Sequence, residues 1–282
     1  MKTDSPRFRF RLYWGTVSAL CLLVILLRTL ALCLTMDKDL GYFGNGALTG
    51  VLYAITLLGV AACFTLPLLM KPGVLPEKQA PLRAGGSVCA CLSALAFIAA
   101  TVYLFIQIMG HAAGTVLTLP APAALMLLTA LACTVAALYF LLRLLDMDHL
   151  ATPCAYGVIL AGILLLSVTY FDRYTQMNAP HKVWVQLSLL SIMIYTLYEL
   201  RARIGRPAPR ALAVASALLL MLCIPTGVSD LIAYACNLYD DALYLICDLV
   251  LTAFAVYVAC RTITTLRSDL PNCEKQNTED AE

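Results

Sequence analysis

The feature that most constrains this chain is a series of eight long, continuous apolar runs. A helix needs about 20 mainly apolar residues to cross the ~30 Å hydrocarbon core of a bilayer. Barrel strands would instead alternate apolar and polar residues, and these runs do not alternate. The sequence therefore predicts an all-α, polytopic membrane helix bundle of about eight transmembrane helices. The predicted spans are Leu12–Thr35, Gly46–Leu69, Ser87–Met109, Pro122–Leu145, Ala151–Phe171, Val183–Leu200, Ala211–Cys236 and Ala242–Thr262.

The composition excludes two classes of protein. The 282 residues are 61% hydrophobic and only 13% charged, whereas roughly 25% of an ordinary soluble domain is charged. A soluble monomer could not cover that much apolar surface, so a soluble enzyme is excluded. A net charge of +2 provides no basic face for nucleic acid. The lipid bilayer is the expected partner, and the sequence identifies no protein partner.

The basic residues predict the orientation of the helices. With eight spans both termini lie on one side of the membrane, and that side receives 15 of the 19 Lys and Arg residues. The other side receives Lys38, Arg173 and Lys182, while Arg28 lies within a span. Because cytoplasmic loops are enriched in Lys and Arg, both termini are predicted to be cytosolic.

Three parts of the chain can be distinguished. Residues 1–11 form a basic cytosolic N-terminus, residues 12–267 the eight-helix transmembrane domain, and residues 268–282 an acidic tail predicted to be disordered in the cytosol. The first apolar run is too long for a cleaved signal peptide, so we expect it to remain as an anchor. The loops are short, and any function is expected in the bundle or on these loops.

Ionisable side chains inside a span each cost roughly 2.5–3.5 kcal/mol on insertion scales, and three of them stand out. Arg28, Asp230 and Asp248 belong to different spans, yet each lies about 10 Å below the outer surface at ~1.5 Å per residue. This shared depth predicts a cluster that faces the bundle interior. Two carboxylates beside one guanidinium leave one negative charge, which calls for a protonated carboxyl or a bound cation. The alternative is a cluster that only neutralises itself and locks the bundle.

Further polar side chains predict a recess that opens to the outside. Tyr234 and Tyr244 each lie four residues from an aspartate of the cluster and therefore share its helix face. Gln107 and Gln186 lie in the outer thirds of spans three and six. Together these side chains are predicted to line a site for a small polar solute or cation.

Pro225 and Gly227 lie in the middle of span seven, shortly before Asp230. Proline removes a helical hydrogen bond, and glycine weakens a helix further. The pair predicts a break or kink that acts as a hinge and frees carbonyl groups near Asp230. The alternative is a kink without function, because transmembrane helices tolerate proline.

The third outer loop, residues 172–182, is the most polar segment on its side of the membrane. Asp172, Arg173, Asn178 and Lys182 are its candidate ligand-contacting residues, and the loop is predicted to cap the recess. A loop that is merely solvated is the alternative.

No catalytic residue, metal site or cofactor is predicted. Zincin, nucleophile-elbow and P-loop motifs are absent, and the three histidines lack the spacing of metal ligands. Most of the 12 cysteines lie inside apolar runs and are interpreted as small hydrophobic residues. Asp146, Asp148 and His149 are the one group that would suit an intramembrane enzyme, and a solvated helix end is the alternative.

Charged residues also gather at the inner end of span six. Glu199 and Arg203 are four residues apart and are predicted to pair along the helix. The densest basic cluster consists of Arg201, Arg203, Arg206 and Arg210. It is predicted to fix the topology and to contact anionic lipid headgroups.

Two stretches carry a resemblance to other proteins: residues 170–182, with Tyr170-Phe171-Asp172-Arg173 and Met177-Asn178-Ala179-Pro180-His181-Lys182, and residues 198–201, Tyr198-Glu199-Leu200-Arg201. They resemble segments in uncharacterised polytopic membrane proteins of Clostridia-type bacteria. The resemblance covers spans five to eight. It implies a bacterial plasma membrane and no particular activity.

These patterns lead to one functional prediction and two rivals. The chain is predicted to transport or sense a small polar solute or ion through an outward-facing polar recess, with Asp230 and Asp248 binding the cation or proton and Arg28 as counter-charge. The first rival is a non-catalytic accessory or scaffold protein that binds a partner through its helices, with a cluster closed by internal hydrogen bonds. The second rival is the intramembrane enzyme.

Overall fold

The computed structural model describes residues 6–36, 43–44, 46–69, 84–116, 118–176, 179–238 and 241–268. These ranges contain eight α-helices and no strand, and all eight helices are long and apolar enough to cross a membrane. The predicted all-α polytopic bundle is therefore confirmed. In chain order the helices are α1 (Pro6–Thr35), α2 (Ala47–Leu68), α3 (Ala84–Ala112), α4 (Ala123–Leu144), α5 (Asp148–Phe171), α6 (Pro180–Arg203), α7 (Pro209–Ala235) and α8 (Ala242–Ser268).

Helix α7 lies at the centre of the bundle and packs against α1, α2, α6 and α8. It is also the most buried of the eight spans. Helix α8 adjoins α7 on one side and α3 on another, and α3, α4 and α5 follow one another as packed neighbours. We call the end at which α1, α3, α5 and α7 terminate the outer end, and the opposite end the inner end, following the charge-based orientation.

Small residues allow the helices to approach each other closely, as is common in membrane bundles. A Cβ atom on Gly157 of α5 would lie 2.4 Å from a methyl group of Val135 on α4. A Cβ atom on Gly227 of α7 would lie 2.0 Å from the Thr252 hydroxyl oxygen on α8. A larger residue at either crossing would require the facing side chain or helix to shift.

The other faces of the helices present large apolar side chains. Leu22, Leu57 and Ile106 are more than 60% exposed, on α1, α2 and α3 respectively. Exposing such an apolar surface to water is unfavourable in free energy, whereas contact with the hydrocarbon tails of lipids is not. The arrangement is that of a multi-pass integral membrane protein.

Helix α6 begins earlier than the sequence predicts, at Pro180 instead of Val183. Proline is favoured in the first turn of a helix, because its missing N–H would be unpaired there in any case. The earlier start makes His181 and Lys182 part of a helix instead of a loop. At the other end of the chain α8 extends to Ser268, and residues 269–282, which make up almost all of the predicted tail, lie outside the described ranges.

Helix α7 runs without interruption from Pro209 to Ala235, with Pro225 inside it. The helix is therefore not broken at Pro225 and Gly227, and a kink or hinge at the two residues stays a prediction. Neighbouring helices surround α7 on several sides, and such packing holds a transmembrane helix together across a proline.

Candidate functional site

A buried ion pair joins α1 to α7 near the outer end. Arg28 Nη2 donates to both carboxylate oxygens of Asp230, at 2.9 and 2.8 Å. Both side chains are fully buried. The Arg28 guanidinium also lies 4.5 Å from the centre of the Trp184 ring of α6, where the electron-rich ring face attracts a cation.

His181, in the first turn of α6, is the third member of this group. Its Nδ1 lies 2.9 Å from Asp230 Oδ2. An ionised carboxylate only accepts hydrogen bonds, so the proton of this bond belongs to Nδ1. Asp230 therefore accepts from helices α1 and α6, and its negative charge is matched by Arg28.

Asp248 of α8 lies beside this group and is fully buried. One of its oxygens lies within 4.8 Å of ligand atoms of Asp230 and His181. Neither of its oxygens accepts a hydrogen bond from any described residue. Among the described residues, no other buried carboxylate lacks a hydrogen bond in this way. Arg28 Nε and Nη1 likewise have no partner among the described residues. The cluster thus holds unmatched donors and acceptors away from water, which is rare in proteins.

His181, Asp230 and Asp248 are also the one group within the described ranges that could hold a metal ion. The donor set of one imidazole and two carboxylates suits a divalent cation. However, Arg28 already occupies both oxygens of Asp230 and would repel such an ion at close range. The arrangement therefore suits a proton or a singly charged cation at Asp248 better than a metal bound by all three residues.

The four other predicted lining residues are distributed around this centre. The Tyr244 ring packs against the His181 ring at 4.6 Å between centroids, and Tyr234 donates from its hydroxyl to the Asp241 carbonyl at 2.7 Å. Gln107 pairs with Tyr103 of its own helix. Gln186 is half-buried, and no described residue pairs with its Nε2. Tyr244 thus contacts the cluster directly. Among the described residues, neither glutamine forms a hydrogen bond with Asp230, Asp248 or His181.

Two charged residues at the ends of the third outer loop are buried instead of standing free in solvent. Asp172 is buried and accepts hydrogen bonds from two backbone amides of its own loop and from the Tyr244 hydroxyl at 3.2 Å. Lys182 is also buried and donates to two loop carbonyls, those of Asp172 and Thr175. Arg173 is exposed, and Asn178 lies outside the described residues. Asp172 and Lys182 therefore hold the loop against α6 and α8 as structural contacts.

A second buried ionic network lies at the inner end. Glu199 accepts from Arg203 at 2.7 Å, which confirms the predicted pair along α6, and it also accepts from Arg261 of α8. Arg203 donates to the Tyr139 hydroxyl of α4 at 3.3 Å. The exposed Asp148 pairs with Arg143 and approaches Arg203. Asp148 is therefore an ion-pair partner of arginines at a helix end. Among the described residues, no group that could hold a metal ion includes it.

Sequence reasoning misses His181 and Arg261 as functional or structural centres. It predicts His181 in a loop, because the apolar run of span six starts only at Val183. The dipeptide Pro180-His181 is the signal that could correct this, since proline marks the first turn of a helix. Arg261 falls on the cytosolic side by its position, and nothing in the sequence places it opposite Glu199.

The chain matches no protein-family model, no curated protein and no solved structure. Its function must therefore be argued from the geometry of its own residues.

Proposed function

We propose that this integral membrane protein transports or senses a small polar solute or ion, and that Asp248 takes up and releases a proton or small cation as it does so. The observation that carries the proposal is the Asp248 carboxylate, which is fully buried and accepts no hydrogen bond from any described residue. An isolated ionised carboxylate in a membrane interior is strongly unfavourable. A bound proton or cation removes that cost.

Charge balance distinguishes the roles of the two aspartates. The single positive charge of Arg28 is directed at Asp230 through both oxygens, and His181 adds a further hydrogen bond. No cation of the described chain is paired with Asp248. Asp230 therefore acts as the fixed anion of the site, Arg28 as its counter-charge, and Asp248 as the exchanging group.

The same observation separates this proposal from the scaffold alternative. A bundle that merely locks its helices together gains most from a cluster in which every buried polar group is paired. Asp248 and two nitrogens of Arg28 depart from that pattern. Such departures in buried polar groups occur preferentially at functional sites.

We further propose that the membrane is a bacterial plasma membrane with both termini in the cytosol, so that the cluster faces outward. The distribution of Lys and Arg supports the orientation, and the resemblance of residues 170–182 and 198–201 supports the bacterial source. Periplasm-accessible and cytosol-accessible cysteine labels on single-cysteine variants would test the orientation directly.

Infrared spectroscopy tests the state of Asp248. The purified protein in detergent is expected to show the C=O stretch of one protonated carboxylic acid at neutral pH, and Asp248→Asn should remove it. Asp148→Asn is the matched control, because that aspartate is 66% exposed and forms an ion pair with Arg143. A band that persists in Asp248→Asn contradicts the proton assignment. Sodium or potassium binding that Asp248→Asn abolishes would identify a cation in its place.

Transport is tested in vesicles that enclose a pH-sensitive dye. An imposed sodium, potassium or proton gradient should change the internal pH when the wild-type protein is present. Asp248→Asn should abolish that change, whereas Asp148→Asn should retain it. If Asp248→Asn folds and moves protons as the wild type does, the proposed role of Asp248 is wrong.

A further inference from the structure

The inner end of α6 closes with a helix cap that brings two arginines together. Gly205 adopts a left-handed conformation with φ of 81°. The Gly205 amide donates to the Ala202 carbonyl, and the Arg206 amide donates to the Arg201 carbonyl at 3.1 Å. These two bonds define a Schellman cap, which reverses the chain. The reversal holds Arg206 beside Arg201, whose Nε donates to the Arg206 carbonyl at 3.2 Å.

These two arginines border a cavity of about 720 Å³ between α5 and α6. The rest of its wall is almost entirely apolar. It consists of Tyr156 from α5 and Leu197, Tyr198, Leu200 and Ile204 from the last two turns of α6 and its cap. The volume lies within the range of roughly 300–1,000 Å³ that is typical of ligand sites. The cavity therefore combines a cationic rim with an apolar wall.

The charge of this rim is not neutralised within the described chain. Arg201 and Arg206 are exposed, and no described carboxylate forms an ion pair with either of them. Arg203, only two residues away, is instead paired with Glu199. The Nε bond of Arg201 leaves both of its terminal nitrogens available, and these nitrogens suit a phosphate group.

We propose that this cavity binds one phospholipid with an anionic headgroup from the inner leaflet. The lipid phosphate lies between Arg201 and Arg206, and an acyl chain covers Leu197 and Ile204. These two apolar side chains are 54% and 58% exposed and face the bilayer, which supplies the lipid directly. This site lies at the opposite end of the bundle from Asp248 and does not depend on the function proposed for that residue.

Native mass spectrometry on the detergent-solubilised full chain tests this proposal. Titration with phosphatidylglycerol should give one tightly held lipid per protein, and phosphatidylcholine should be held more weakly. Arg201→Gln and Arg206→Gln should each lower the affinity about fivefold, and the double variant about 30-fold. Arg11→Gln on α1 is the matched control, because it removes one exposed positive charge at the same end without altering the cavity wall. It should change the affinity less than twofold.

Two further arms distinguish a bound lipid from a free phosphate ion. Leu197→Trp fills part of the cavity without changing its charge and should also release the lipid. Inorganic phosphate at millimolar concentration should not displace phosphatidylglycerol if the acyl chain contributes to binding. The proposal is overturned if the double variant retains phosphatidylglycerol like the wild type, if Arg11→Gln loses it equally, or if phosphate alone competes fully. Circular dichroism of each variant confirms that it is folded.

Discussion

Replacing Asp230 with asparagine should destabilise the bundle by about 3 kcal/mol, because it leaves the fully buried Arg28 without its paired anion. Asparagine keeps the volume of the side chain but offers one acceptor oxygen and no charge. Three hydrogen bonds converge on the Asp230 carboxylate, two from Arg28 and one from His181. Breaking a buried pair from one side costs about 3–5 kcal/mol. We expect the lower value because the Asp248 carboxylate is close enough to replace part of the lost attraction.

The same reasoning predicts a different result for Asp248→Asn. No described residue donates a hydrogen bond to Asp248, so this variant should stay within about 1 kcal/mol of the wild type. Combined with Asp230→Asn it removes the replacement anion, and the double variant should lose about 2 kcal/mol more than the two single changes together. Such losses are large beside a typical total stability of about 5–15 kcal/mol.

The assay is equilibrium unfolding of the purified protein in mixed detergent micelles, followed by circular dichroism and by tryptophan fluorescence. Trp184 reports on the site directly, because its ring lies against the Arg28 guanidinium. A matched control replaces both partners, as Arg28→Met with Asp230→Leu, and should cost less than Asp230→Asn, since Arg28 is no longer buried without its anion and only the His181 hydrogen bond is lost. The distinction between a fixed and an exchanging carboxylate would be refuted if Asp230→Asn and Asp248→Asn lowered the free energy of unfolding equally. It would also be refuted if the loss in the double variant equalled the sum of the two single losses.

Three further predictions concern other sites and use thermal unfolding in detergent. Glu199→Gln leaves the buried Arg261 without its anion and removes the closest ion-pair partner of Arg203, and it should cost about 3–5 kcal/mol, detected as a lower Tm. Gly227→Ala places a Cβ 2.0 Å from the Thr252 hydroxyl and should cost about 1–3 kcal/mol, whereas Gly50→Ala, with open space around it, should not destabilise. Burial and a neighbouring carboxylate raise the pKa of Asp241 above its usual value. Folding therefore favours its protonated form, so its contribution to stability is present at low pH and declines as pH rises through the raised pKa; Asp241→Asn should reduce that decline in Tm.

Hydropathy was sufficient to predict the helices, because a lipid environment leaves a chain few alternatives to long apolar helices. Depth within the span was also readable, since it needs only a residue count and the helical rise. That is why Arg28 and Asp230 could be expected at one level, and the structure places them in direct contact. Positions along a helix are local information that the sequence carries by itself.

The rotation of each helix about its axis, and the side-chain pairs that result, could not be predicted from the sequence. Which carboxylate Arg28 meets depends on how α1, α7 and α8 are turned about their axes, and the packing of the whole bundle decides that. The sequence treats Asp230 and Asp248 as equivalent, whereas only Asp230 is paired. For the same reason the sequence does not predict the contact between Arg261 and Glu199, which are 62 residues apart.

The contact between α7 and α8 connects the charge of Asp248 to the shape of the bundle. A Cβ atom on Gly227 would lie 3.0 Å from the Asp248 carbonyl oxygen, so the two backbones are close at the depth of the cluster. When Asp248 carries a proton, its neutral carboxyl group lies beside the Asp230 carboxylate without repulsion. When Asp248 is ionised, two carboxylates lie within 4.8 Å and Arg28 is directed at only one of them. Repulsion in that state favours separation of the outer halves of α7 and α8, while Glu199 and Arg261 still tie α8 to α6 at the inner end. On the proposed function, loss of the proton would therefore open the outer end of the bundle in preference to the inner end.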